Sequence, residues 1–201
     1  FNYSFDDKYL LTFTLRSDGS SRFGEENRWG TFPSGSFAWR LDEEQFIKDM
    51  GLFSNLKLRV GYGVTGNDQV GNYASFALMS NTHLTFDAIS NTAGTHLNPN
   101  TPENPSLKWE TTSQFNTGLD MGFFDSRLQI TIDGYYKKTS DLLVRKNLPT
   151  YSGFFVVQSN VGSVENKGFE FEARSNNLVG EFEWNTRMNF SVNRNEVTSL
   201  G

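Results

Sequence analysis

From residue 107 to 121 the chain alternates between two kinds of side chain. Leu107, Trp109, Thr111, Ser113, Phe115, Thr117, Leu119 and Met121 fall on one face, while Lys108, Glu110, Thr112, Gln114, Asn116, Gly118 and Asp120 fall on the other. Period two is the mark of a strand with unlike surroundings on its two sides, and this one would run about 50 Å at the usual rise. The pattern recurs over 9–16, 56–64, 128–136, 167–174 and 181–193. It is looser over 29–41, where Phe37, Trp39 and Leu41 share a face with Pro33 and Gly35, and residues 1–5 read as the tail of an earlier strand. The expectation is about eight strands, most of them longer than the common 5–6 residues.

The connections differ in length by side. Those at 6–7, 123–126 and 176–180 are short, and those at 17–28, 66–106 and 140–162 are long. On the short side, 42–55 is the exception. Its EEQFIKDMGLF, preceded by Asp42, predicts a short capped helix packing Phe46, Ile47 and Met50. Short turns at one end and long loops at the other are the arrangement of a transmembrane β-barrel. Tyr9, Trp39, Phe123, Phe124, Phe182 and Trp184 lie toward the short turns, and Trp29, Trp109 and Tyr136 toward the long loops. That placement suits aromatic belts at two membrane interfaces.

A β-sandwich also gives each strand an apolar and a polar face. Strand length, loop asymmetry and the long connection over 66–106 favour the barrel. The expected fold is therefore all-β: an antiparallel up-and-down meander with open edges, cut from a large barrel wall. Trp109, Phe115, Leu119, Leu58, Val60, Ile130, Ile132, Phe171, Trp184 and Phe190 are expected on its lipid-facing side. Lys57, Arg59, Glu110, Gln114, Asp133, Glu170, Glu172 and Arg187 are expected on the lumen side.

Composition narrows the field. Nineteen Phe, seven Tyr and four Trp accompany a net charge of −5, and the mean hydropathy is −0.51. No basic stripe marks a nucleic-acid partner, and no run reaches the roughly 18 apolar residues of a membrane helix. The chain has no cysteine, which excludes a disulfide scaffold and a thiolate nucleophile. It opens on Phe1 and stops at Gly201 in mid-pattern, so it is expected to be a section of a longer protein.

Candidate chemistry is thin. Gly61, Gly63 and Gly66 match the G-x-G-x-x-G spacing of a dinucleotide loop, but the helix that must follow is missing, because 67–73 read NDQVGNY. Gly61 and Gly63 fall instead on the polar face of a strand, and Gly66 is expected to begin its loop; glycine there makes room beside a large neighbour or permits a bend. Glu170 and Glu172, like Glu181 and Glu183, are paired carboxylates, yet inward acidic residues of a polar lumen look the same as a glycosidase pair. His83 and His96, with Asp87 between, fall short of the three or four convergent ligands of a metal site. Asn67 and Asp68 lack the calcium-loop spacing. Sugar contact is the more plausible local chemistry: Tyr73, Phe76, Phe86, Tyr151, Phe154 and Phe155 for stacking, with Asn72, Asn81 and Asn160 for hydroxyls. Packing of the loops explains the same aromatics equally well. No catalytic, cofactor or metal residue is assigned, the ligand residues are unknown, and the chain is not expected to be an enzyme.

DGSSRFG (18–24), RWGTFPSGSFAWRL (28–41), LKLRVGYGVTGN (56–67), NPSLKWETTSQFNTGLD (104–120) and NVGSVENKGFEFE (160–172) resemble the barrel of SusC/RagA-type TonB-linked outer-membrane proteins, in the family's order and spacing. The resemblance covers nearly the whole chain. It implies a barrel of about 22 strands with an N-terminal plug, of which 1–201 is a middle-to-late part of the wall, about a third, without the plug and the closing C-terminal strands. Residues 66–106 would be a long extracellular loop. It further implies import of oligosaccharides or peptides across the outer membrane of a Gram-negative bacterium. The implied partners are a SusD-like surface lipoprotein, the TonB complex acting through the N-terminal region, the ligand and outer-membrane lipid, but no nucleic acid. The alternative function is a secreted carbohydrate-binding β-sandwich.

Overall fold

A computed structural model describes residues 1–87 and 92–200, with side chains for all of these except 80–100 and 150. In chain order the strands are β1 (Asn2–Phe5), β2 (Tyr9–Gly19), β3 (Trp29–Arg40), β4 (Phe53–Asn67), β5 (Leu78–Asp87), β6 (Thr92–Thr101), β7 (Glu110–Phe123), β8 (Leu128–Ser140), β9 (Leu143–Asn147), β10 (Val156–Asn160), β11 (Ser163–Leu178) and β12 (Trp184–Ser199). Eight of them form one sheet in the order β1-β2-β3-β4-β7-β8-β11-β12, and each pair is antiparallel. Both edges are open. The remaining strands pair as the hairpins β5–β6 and β9–β10, set within the two longest connections.

Among the described residues these hairpins are the only other sheets. The face-to-face second sheet that a β-sandwich needs is absent among the described residues, and the sandwich alternative falls with it. Nor does the large sheet hold a core. Among the described residues the buried apolar side chains are Phe23, Phe32, Leu56 and Leu107, while Leu11, Phe13, Phe169, Met188 and Phe190 stand exposed. Ladder hydrogen bonds and cross-strand neighbours hold this sheet together.

The turns alternate as expected. Asp6 and Asp7 close β1–β2 with φ of 53° and 50°, a left-handed pair that matches the twist of a tight hairpin and that short polar side chains tolerate. Several boundaries move. β11 and β12 run past their expected ends, and β4 continues through Gly66, which pairs with Thr111 instead of opening a loop. β12 begins at Trp184, so Glu181 and Glu183 lie in the turn before it. The 42–55 segment folds as a 3-10 turn over Leu41–Glu43 and one helical turn over Gln45–Lys48. Asp42 does not cap it. Glu44 precedes the helix without a side-chain capping bond, because its carboxylate accepts from Tyr9 Oη at 2.7 Å and Trp39 Nε1 at 3.1 Å. Phe46 and Met50 are exposed, contrary to the expected packing.

Candidate functional site

Register turns the alternation of single strands into rows across the sheet. Phe5, Tyr9, Trp39, Leu58, Leu119, Ile132, Phe171 and Phe190 are successive cross-strand partners from β1 to β12. The adjacent row, one residue along each strand, reads Ser4, Leu10, Ala38, Arg59, Gly118, Asp133, Glu170 and Ser191. Because successive side chains point to opposite faces, the sheet is apolar on one side and polar on the other.

On the polar face Arg59 is the central cation. Its Nε and Nη2 donate to the two oxygens of Asp120 at 2.7 and 3.0 Å, and Nη2 also reaches Asp133 Oδ1 at 3.0 Å. Asp133 lies two strands from Arg59, with Gly118 directly between them. A Cβ on Gly118 would overlap the Asp133 carboxylate and lie 2.7 Å from Arg59 Nη2. Gly168 plays the same part for Tyr135, whose ring lies 2.5 Å from where a Cβ would be. Beside this cluster is a depression of about 660 Å³ bordered by Arg59, Gln114, Asp133, Lys137, Glu170 and Asn193. Glu172 pairs with Arg174 and lies 4.0 Å from Arg187. On this face Asp120, Asp133 and Glu172 are thus each matched by an arginine.

The apolar face ends in aromatic residues. Tyr9 stacks on Trp39 at 5.9 Å and Phe53 meets Phe123 at 5.1 Å toward the short turns. Toward the long loops, Phe13, Tyr62, Phe115 and Tyr136 lie in one row, with Gly35 between the first two. On β8 the distance from Leu128 to Tyr136 is about 27 Å along the strand. One step beyond Tyr136 on the same face, Lys138 pairs with Glu165 at 3.3 Å.

At the long-loop end the polar face carries a small packed cluster. Trp109 meets Phe23 at 5.3 Å and the edge of Phe32 at 5.4 Å, and Arg16 lies over Phe32. Ser20 Oγ donates to Asp68 at 2.8 Å, and Arg22 Nη1 donates to the Asp68 carbonyl at 2.9 Å. Glu110 accepts from Asn67 Nδ2 and from the Leu143 amide. Asn160 exchanges hydrogen bonds with both backbone groups of Lys108, at 2.9 and 2.8 Å, and donates to the Asp141 carbonyl. The long connections are tied to one another and to the strand ends.

A family model described as "TonB dependent receptor-like, beta-barrel" matches residues 1–199. The chain belongs to this family. It is 41% identical over 206 residues to TonB-dependent receptor SusC of Bacteroides thetaiotaomicron, covering 99% of this chain and 20% of SusC. It is 41% identical over 199 residues to TonB-dependent receptor P39 of Formosa agariphila, covering 98% of this chain and 19% of that protein. Among solved structures, a chain of the RagAB peptide transporter superposes with a TM-score of 0.86 at 36% identity, covering 99% of this chain and 21% of that one. The same scores hold for the RagAB peptide importer in its closed-closed state. The chain spans about a fifth of the length of the relatives it matches.

As part of a TonB-dependent receptor barrel of the SusC/RagA type, an outer-membrane protein of Gram-negative bacteria, the sheet has lipid on its apolar face and the lumen on its polar face. Nine of the ten residues expected toward lipid share the apolar face, and all eight expected toward the lumen share the polar one. Trp109 is the exception. The ladder starts at Glu110, and Trp109 turns back onto Phe32, a side chain of polar-face parity. Trp109 therefore does not join the outer aromatic row, whereas Trp29 keeps the parity of the apolar face and is exposed; Phe13, Tyr62 and Phe115 lie in the row of Tyr136.

The loop candidates separate into two groups. Tyr73, Phe76, Tyr151 and Phe155 are exposed, and Tyr73 and Phe76 meet edge-on at 6.4 Å. Phe154 is half-buried. Asn160 holds backbone and is not free for a ligand. The side chains of Asn81, His83, Phe86, Asp87 and His96 lie outside the described residues. Asn67 and Asp68 do not converge: one side chain serves Glu110 and the Gln69 amide, the other Ser20. Among the described residues no group of three potential metal ligands occurs. Sequence reasoning missed Gly118 and Gly168, whose meaning depends on which side chain the neighbouring strand places over them.

Proposed function

We propose that this chain is a section of the wall of an outer-membrane importer that takes up oligosaccharides or peptides, driven through the TonB system and working with a SusD-like surface lipoprotein. The observation that carries the reading is the pairing of rows. Leu58, Leu119 and Ile132 present hydrocarbon on one side, while their chain neighbours Arg59, Gly118 and Asp133 build a charged, hydrated surface on the other. A sheet one strand thick between two such media is a wall between lipid and a water-filled lumen. The likeness to a peptide transporter and to SusC supports uptake of a polymer fragment of either class.

The long connections, 66–106 among them, face the cell exterior in this reading, since outer-membrane barrels keep short turns in the periplasm. Tyr151 and Phe155, 91% and 72% exposed, then stand where a ligand or lid protein would meet the barrel. In this reading the protein is a transporter and not an enzyme, and the charges of the wall serve the sheet: Arg59 holds Asp120 and Asp133, Arg174 holds Glu172, and Lys138 holds Glu165. Deleting the gene for the full-length receptor should abolish growth on one oligosaccharide or peptide source and leave growth on its monomers intact. Unchanged growth across a panel of both classes would contradict the assignment. Tagged full-length receptor should also retain a surface lipoprotein through purification in mild detergent.

A further inference from the structure

Gly35 interrupts the outer aromatic row. Its cross-strand partners on the apolar face are Phe13 on β2 and Tyr62 on β4, and Phe37 follows two residues along β3. A Cβ built on Gly35 finds nothing closer than the Thr12 carbonyl oxygen at 3.6 Å and the Phe13 ring at 4.0 Å. Neither flanking ring has collapsed over the glycine. The result is a trough of about 500 Å³ walled by Phe1, Leu11, Phe13, Phe37, Val60 and Tyr62. No charged side chain borders it, in contrast to the polar-face depression beside Arg59. Gly134, also on this face, lies between Thr117 and Phe169 and has no aromatic partner on β7.

We infer that this trough is a seat for one acyl chain of an outer-leaflet membrane lipid. The trough is continuous with the lipid-facing surface and sits in the aromatic row toward the long loops, the end that meets the outer leaflet. Its walls are rings and aliphatic groups, which favour hydrocarbon over water in proportion to the area covered. A flexible chain follows a shallow trough between two rings, gaining contact along its length. Gly35 acts as the floor that keeps the space open. The seat rests on the outer-membrane placement of the wall and not on which nutrient the receptor imports.

The test uses full-length receptor extracted with its native lipids and stripped stepwise with detergent, with retained lipids counted by native mass spectrometry. Gly35→Val fills the trough at a site where a Cβ meets only ordinary contacts. The variant should retain one lipid fewer per barrel than the wild type, while Gly134→Val retains the wild-type number. Equal retention by the Gly35 variant and the wild type would overturn the seat. So would loss of a receptor dimer in place of a lipid, which would make a second copy of the chain the occupant. Should the Gly35 variant fail to assemble, an electron cryomicroscopy map of the wild type in lipid nanodiscs decides the question. Rod-shaped density between Phe13 and Tyr62 is expected, and a trough without ordered density contradicts the inference.

Discussion

Arg59 reaches Asp133 across the full width of β7, Nη2 to Oδ1 at 3.0 Å, through the space that Gly118 leaves open. Three strands are joined on the lumen face by one guanidinium, which also holds Asp120. All three charged side chains are about one third exposed, so water screens each pair and the individual attractions are modest.

Adding one carbon at Gly118 should break this link by crowding. Gly118→Ala is expected to destabilise the assembled full-length receptor by about 1–3 kcal/mol, read as a lower urea midpoint. The Asp133→Ala background removes the nearer obstacle and lets the Arg59 head move, so there the same substitution should cost less than half as much. An equal cost in both backgrounds would show that strand strain, and not the Arg59–Asp133 contact, makes Gly118 necessary.

Glu44 fastens the β3–β4 connection to the wall. Hydrogen bonds from Tyr9 and then Trp39 hold its carboxyl below its ordinary value of 4.5, and Lys8 adds to the effect. The bonds favour the ionised form. A carboxylate whose folded-state value is depressed contributes stability that is fully present above the unfolded value and is lost as pH falls through the folded one. The protection of the amides over 41–52, meaning their slowing relative to an unstructured chain at the same pH, should therefore be constant above about pH 5 and fall as the pH drops below 4.5. Glu44→Gln should be weakly protected at every pH and lose this dependence. A wild-type profile that stays flat down to pH 3 would contradict the role given to Glu44.

Asn160 is assigned to holding backbone and not to binding a nutrient. Asn160→Ala leaves both backbone groups of Lys108 and the Asp141 carbonyl without this partner, at a local cost of about 1–3 kcal/mol. Limited proteolysis of whole cells should then cut within 141–162 faster, while the thermal midpoint of the barrel stays within a degree or two. Unchanged proteolysis together with lost uptake would return Asn160 to the ligand.

Much of the wall was legible because lipid and water leave a period-two record in each strand. Leu58 beside Arg59, and Ile132 beside Asp133, disclose their faces without any partner strand. Trp109 misled because the alternation runs on past the ladder: apolar residues that pack a loop cluster continue the same period. The hairpins β9–β10 and β5–β6 leave no such record: LVRKN and VVQSN are too short to show a period, and LMSNTHLTFD mixes polar types without a clean apolar side. The Arg59 cluster was out of reach. Its partners lie 61 and 74 residues away in sequence, and only register shows that Gly118 is the residue between them.

The facing of the wall is tested most directly by changing adjacent residues 132 and 133 in the full-length receptor and following heat-modifiable electrophoretic mobility of outer-membrane fractions. Ile132→Arg sets a charge within the lipid-facing row Leu58, Leu119, Ile132, Phe171, which should cost about 2–4 kcal/mol near the bilayer midplane and leave little assembled barrel. Asp133→Asn keeps the volume and an acceptor for Arg59 on the lumen face, and should assemble as the wild type does, with any effect confined to uptake. Normal assembly of the Ile132 variant beside failure of the Asp133 variant would reverse the two faces and contradict the account.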